Sequence, residues 1–198
     1  GRYEDEVRDP ALEFIQDSSS RLKALSPHFR ADPRASGGSL FRIYRDTRFS
    51  KDKSPYKTYT GIQFRHEQGK DAHAPGFYLH IEPKGCFVGV GIWHPDGKAV
   101  KKIREAIVED STGWKKAVSG SAFKARLSLS GDQLVRPPRG FDPEHPLVGD
   151  LKRKDFIAVA PISMKQVTEP GFIKDFASHC QAGMPLVAFL CGALDLPF

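Results

Sequence analysis

Asparagine is absent from the 198-residue chain, so no acceptor for N-linked glycosylation exists. Cysteine is scarce. Cys86, Cys180 and Cys191 form no Cys-x-x-Cys pair, and three thiols cannot all pair within one chain. Lying among apolar neighbours, they read as reduced, packed thiols, which leads us to expect a cytoplasmic protein. No apolar run approaches the roughly 18 to 20 residues that cross a bilayer. The opening residues, Gly1 to Glu6, are too acidic and polar for a signal peptide, and no membrane partner is expected. A glycine-rich phosphate loop is also lacking: Gly89-Val90-Gly91 has no third glycine and lies within a strand pattern, which argues against dinucleotide and Walker loops. No close His/Cys set fixes a ligand geometry, so neither a metal nor a cofactor is expected.

What is present is an ordinary globular composition. Apolar residues make up 39% and charged residues 27%, enough of the former for a real core and too few of the latter for disorder. The length suits a single domain over residues 1–198. The formal charge of +6 is clustered: Arg42, Arg45, Arg48, Lys51, Lys53 and Lys57 face only Asp46 and Asp52 between residues 42 and 58. By contrast, residues 96–110 balance their charges and read as a solvated helix face.

Apolar spacing predicts an amphipathic helix over residues 3–25, bent near Pro10. Strand character recurs at Leu40–Arg45, Thr58–Arg65, Gly76–Glu82 and Cys86–Trp93, with a later strand at Phe156–Ala160. Asp96 is the expected N-cap of a helix carrying Val100, Ile103 and Ile107. Short helices are expected at Trp114–Val118 and Ala122–Leu127. Two C-terminal helices are expected at Gly171–Gln181 and Pro185–Leu194, and the proline-rich stretch 137–146 is a rigid loop. The fold class is therefore α+β: an antiparallel meander of about four strands plus one later strand, packed by N-terminal and C-terminal helices.

The pattern also sets a register for the last hairpin. Pairing Ile81 with Cys86 gathers Phe77, Leu79, Ile81, Cys86, Val88, Val90 and Ile92 on a core face. Tyr78, His80, Glu82, Phe87, Gly89, Gly91 and Trp93 then share the other. Glycines inside a strand mark close approach to the backbone: Gly89 and Gly91 either floor a shallow groove or accommodate a packed helix or a bend.

The run Arg45-Asp46-Thr47-Arg48-Phe49-Ser50-Lys51-Asp52-Lys53-Ser54-Pro55-Tyr56-Lys57-Thr58, with Tyr78-Leu79-His80-Ile81-Glu82-Pro83 and Gly89-Val90-Gly91-Ile92-Trp93, strongly resembles an uncharacterised family, domain of unknown function 2461. A further signature runs from Pro138-Arg139-Gly140-Phe141 through His145-Pro146 to Leu151-Lys152-Arg153-Lys154-Asp155-Phe156, so the resemblance covers nearly the whole chain. It implies one fold unit and no activity, cofactor or catalytic residue. Two departures stand out. The family's asparagine-rich first helix with Arg and Trp-Phe is missing, which leads us to expect residues ahead of Gly1, and Val90 replaces a common third glycine.

Arginines and lysines interleaved with Thr47, Ser50, Ser54, Tyr56 and Thr58 supply many donors and few acceptors, the chemistry that phosphate or carboxylate recognition requires. Arg45, Arg48, Lys51, Lys53, Tyr56 and Lys57 are the candidate anion-binding residues. Alternatively, Asp46 and Asp52 pair with the arginines, making the segment a structural ion-pair loop. Tyr78, His80, Glu82, Gly89, Gly91, Trp93, Arg139 and His145 are the candidate pocket residues. His80 and Glu82, two apart on one strand face, also suit an acid–base pair, or metal ligation if His66, His94 or His145 joins them. Two functions follow: a pocket for a small anionic ligand, with or without chemistry, or a nucleic-acid-binding module. The latter would use the basic segment for phosphates and Tyr44, Tyr56, Tyr59 or Trp93 for stacking.

Overall fold

The helical periodicity of residues 3–25 is realised in two parts in a computed structural model, which describes residues 1–48, 51, 53–69 and 73–198. A π-helical turn, Glu4–Arg8, leads into α1, Asp9–Leu25. Pro10 falls in the first turn of α1, directly after the π-helical turn, and its missing N–H interrupts the hydrogen-bond ladder where the helix changes type. Ala11, Ile15 and Leu22 form the buried stripe.

Among the described residues, five strands make one antiparallel sheet in the order β1-β2-β3-β5-β4. They are β1 Thr60–Arg65, β2 Gly76–Ile81, β3 Cys86–Ile92, β4 Ser128–Ser130 and β5 Phe156–Ile162. The β2–β3 hairpin has the expected register: His80 faces Phe87, Tyr78 faces Gly89 and Gly76 faces Gly91. Phe77, Leu79, Val88, Val90 and Ile92 are consequently buried together. On β5 the same alternation buries Phe156, Ala158, Ala160 and Ile162 on that side.

One expected strand does not form. Among the described residues, Leu40–Arg45 makes only two isolated bridges, Leu40 to Ile62 and Tyr44 to Tyr56. Its first part lies along β1, where Phe41 N–H donates to the Gly61 carbonyl at 2.9 Å and Gln63 N–H to that of Ser39 at 2.8 Å. The rest turns away to pair with its own downstream chain: Lys57 N–H bonds the Ile43 carbonyl at 2.7 Å, and Arg45 N–H that of Pro55 at 3.0 Å. Two partners divide the segment, so no single ladder runs along it. The meander therefore has three strands, with β5 beside β3 and β4 beyond it.

The helices follow the capping signals. α2, Gly97–Glu109, begins at Asp96, whose Oδ1 accepts from Ala99 N–H at 2.8 Å. α3, Ser111–Ser119, and α4, Ser121–Arg126, occupy the two short helical patterns. Short α5, Val148–Leu151, and α6, Met164–Thr168, were not expected. The second difference lies at the C-terminus, where one continuous helix, α7, Phe172–Ala193, replaces the two expected and passes through Pro185. A proline in a helix interior costs about 3 kcal/mol. Buried side chains on both sides of it, Phe176, Cys180, Leu186, Val187 and Leu190, offset that cost by packing into one core. Gly183 sits where a Cβ would lie 2.6 Å from the Val90 side chain, so its hydrogen lets α7 close onto β3. At 22 residues α7 is long and apolar enough for a membrane span by length and composition alone, and half of its apolar window is buried in this core.

Candidate functional site

With α7 on one face, strand alternation sends the remaining side chains to the other. Gln63, Tyr78, His80, Phe87, Gly89, Gly91, Ile157, Val159 and Pro161, together with Phe41, Tyr59 and Trp93, line a groove of about 710 Å³. That volume suits a small organic molecule.

The two glycines in its floor differ. Gly91 has φ +115°, and a Cβ there would overlap the Phe156 carbonyl oxygen, so the β3–β5 pairing itself demands glycine. At Gly89 a Cβ would meet Phe87 and Tyr78 at 3.7 Å, an ordinary contact. Neither backbone nor packing requires glycine at 89; what its hydrogen does is leave the groove floor flat.

At one end the groove adjoins a second cavity of about 460 Å³, lined by Arg45, Asp46, Lys57, Thr58, Tyr59, His80 and Glu82. Tyr59 and His80 line both. The basic segment reaches this mouth as an arm over residues 43–57, closed at its base by the two backbone bonds already described and by the Tyr44 and Tyr56 rings, 5.6 Å apart. Lys57 is half-buried. Its Nζ donates to the Arg42 carbonyl at 2.8 Å and lies 5.6 Å from the Phe41 ring centre and 5.5 Å from that of Tyr59. Burial, then the Arg42 charge, lowers its pKa.

Of the six candidate anion-binding residues, Arg45 and Lys57 line the mouth. Arg48 forms a two-pronged ion pair with Asp46, Nε to Oδ1 at 2.9 Å and Nη2 to Oδ2 at 2.6 Å, which holds the Asp46 carboxyl at a pKa of about 2. Lys53 donates to the Thr47 carbonyl at 2.8 Å, and Lys51 and Tyr56 are exposed. Ser50 and Asp52 lie outside the described residues. The arm is thus in part the internally paired loop that the sequence offered as an alternative.

His80 is the junction of the two cavities. Its ring is stacked between Tyr59, at 4.6 Å, and Phe87, at 4.7 Å. Nδ1 lies 3.1 Å from the Tyr78 hydroxyl and Nε2 3.4 Å from Glu82 Oε2, while Thr58 Oγ1 donates to Glu82 Oε1 at 2.9 Å. The bond from Thr58, and then that from His80, lowers the Glu82 pKa, so this group is an ionised acceptor. Nε2 therefore carries the ring hydrogen, which leaves Nδ1 to accept from the phenol. Burial raises the Tyr78 pKa and keeps it neutral. The phenol fits because its cross-strand neighbourhood includes Gly61, where a Cβ would stand 2.6 Å from the hydroxyl.

Trp93, 54% exposed, marks the wall at the end of β3, with the His73 and His94 rings beside it at 6.1 and 4.1 Å. His94 holds a left-handed backbone, φ +48°, with its N–H bonded to buried Asp155 at 2.8 Å. Arg139 and His145 line neither cavity. Arg139 is exposed, and His145 Nδ1 accepts from Leu147 N–H at 3.1 Å. Their stretch is architectural: it leads to Asp150, which accepts from Trp114 Nε1 and from Arg153 Nε, both at 2.9 Å. His66 is buried against the Pro197 carbonyl at 2.8 Å. Among the described residues no three His, Cys, Asp or Glu side chains are grouped to hold a metal.

Residues 1–189 match DUF2461, a family of conserved hypothetical proteins. The chain belongs to this family. No curated protein and no solved structure matches it. The DUF2461 match spans the arm, the hairpin and β5, so the groove lies wholly inside it, and the family description assigns neither a reaction nor a ligand.

Proposed function

We propose that the groove binds a small organic acid, its apolar body lying over Gly89 and its carboxylate or phosphate reaching Arg45 and Lys57 at the mouth, beside His80. The observation that carries this reading is that one apolar groove and one basic cavity share Tyr59 and His80, which makes a continuous amphipathic site. Among the described residues, the two carboxylates at the mouth are already engaged, Asp46 by Arg48 and Glu82 by Thr58 and His80. Lys57 spends one of its three N–H donors on the Arg42 carbonyl. Three buried cysteines favour a reducing compartment such as the cytoplasm for this binding.

The test is calorimetric titration with decanesulfonate, against decanol as its uncharged counterpart. Decanesulfonate should bind the more tightly. Gly89→Leu, which fills the floor without disturbing the backbone, should weaken it at least tenfold, and Lys57→Met several-fold. No binding by the wild type, or binding that Gly89→Leu leaves unchanged, would sink the proposal.

One observation favours a second reading. Tyr44 and Tyr56 are 57% and 54% exposed on an arm that also carries Arg48, Lys51 and Lys53 and follows Arg42, the elements of a single-stranded nucleic-acid contact. Anisotropy of a labelled oligonucleotide at low salt separates the two: retention lost in Tyr44→Ala/Tyr56→Ala but kept in Gly89→Leu belongs to the arm alone.

A further inference from the structure

The hydrogen bonds around His80 fix more than its orientation. In the neutral ring both nitrogens are committed: Nε2–H donates to Glu82, and Nδ1 accepts the Tyr78 hydroxyl. The phenol therefore spends its only proton on the imidazole and can offer the groove nothing but lone pairs. A proton added to Nδ1 inverts this arrangement. The imidazolium must donate from both nitrogens, so Nδ1–H points at the Tyr78 oxygen and the phenol hydrogen is released to turn elsewhere.

We propose that anion binding at the mouth is coupled to uptake of one proton by His80, and that the proton reverses the Tyr78–His80 bond so that the phenol donates into the groove. This deepens, and rests on, the organic-acid reading. The balance is simple: the proton comes from solvent to Nδ1, Tyr78 stays neutral, and no other bond is made or broken.

The groups facing His80 show why an incoming anion would tip the equilibrium. β2 contributes Tyr78 and the residue that follows the strand, ionised Glu82, already favours imidazolium. The arm contributes Arg45 and Lys57, which oppose it, and Asp46, whose charge is held by Arg48. Tyr59, ahead of β1, and Phe87, on β3, cover the two ring faces without charge. An anion seated between Arg45 and Lys57 screens their repulsion and adds its own attraction, and both effects favour the charged ring.

Decanesulfonate is the suitable probe, because a sulfonate does not titrate in the range used and any pH dependence belongs to the protein. Its dissociation constant should tighten about tenfold from pH 8 to pH 5.5, the change that one pKa unit of coupling produces. At pH 7, titrations in buffers of differing ionisation enthalpy should show net proton uptake by the wild type, a measurement that needs no variant. His80→Gln should flatten the pH profile, while Lys57→Met, although weaker, should keep it. Tight binding with a flat profile and no proton uptake overturns the coupling and leaves the organic-acid site standing. Absence of binding at every pH overturns both.

Discussion

Gly89 and Gly91 lie two residues apart in the central strand β3, and replacing each by alanine should move stability in opposite directions. At 91 the methyl group meets the Phe156 carbonyl oxygen and approaches Ile157 Cα to 3.1 Å. Both neighbours are backbone atoms of the β5 ladder, so no side chain can swing aside. The left-handed φ of +115° alone costs on the order of 1–3 kcal/mol for a residue with a Cβ, and displacing the strand adds overpacking of about 1–3 kcal/mol. A loss of roughly 3 kcal/mol or more follows, which for a chain of this size lowers the thermal midpoint by about 6–12 °C. At 89 the nearest atoms to the methyl lie at 3.7 Å, on the Phe87 and Tyr78 side chains. Here the reduced freedom of the unfolded chain outweighs any contact, and it is worth about 0.4–1 kcal/mol in favour of alanine. Urea unfolding followed by circular dichroism measures both. Equal destabilisation by the two substitutions would show that the strand itself requires Gly89, and that its hydrogen is not there to keep the groove open.

The remaining predictions concern the thiols and the arm. Cys86, Cys180 and Cys191 are buried, and burial pushes the Cys191 thiol up to about 12 and Cys180 well above its ordinary value, so Ellman's reagent at pH 8 should label none in the native protein and all three in denaturant. One thiol reacting natively at the rate of free cysteine contradicts the packing described. Asp46 should titrate near 2 in carbon-13 NMR and return towards 3.8 in Arg48→Ala. Because the folded value is the lower one, the tether holds above the ordinary carboxyl pKa and is lost as pH falls through about 2. An unchanged Asp46 titration in Arg48→Ala would show that the ion pair does not organise the arm.

Local pattern carried the hairpin a long way. Phe77, Leu79, Val88, Val90 and Ile92 alternate with polar, aromatic or glycine positions, and only one register buries them all, so the outer face of β2 and β3 is legible in the order of residues alone. Its neighbours are not. Phe156 to Ala160 reads as a strand, but nothing local says that it runs on to Ile162 or that Ile157, Val159 and Pro161 complete the wall beside β3. Gly61 escapes for the same reason, and Tyr59, read only as a stacking residue for nucleic acid, is missed as a neighbour of His80: their importance comes from contacts with Tyr78 and His80 on the adjoining strand. Pro185 misleads because a helix-breaking signal is local, whereas the packing of Cys180 through Leu190 that overrides it is tertiary. Charge in the arm was plain, but whether Arg48 meets a ligand or Asp46 depends on chain geometry that composition does not encode. Of the missed elements only α6 carried a readable signal, the Ser163 and Gln166 capping box.

The division of the sheet between an α7-packed face and an open one bears on how this protein can diverge. Along β2 and β3, positions of one parity hold the molecule together and positions of the other parity shape what it can accept. Substitutions at 78, 80, 87 and 89 are therefore largely uncoupled from the core, and a library varied there should retain folded members at high frequency while sampling new ligands. Gly91 and its cross-strand partner Gly76 break the rule: both belong to the groove by parity and to the framework by close backbone approach, since a Cβ at 76 would overlap the Phe64 carbonyl oxygen, and such a library must leave both untouched.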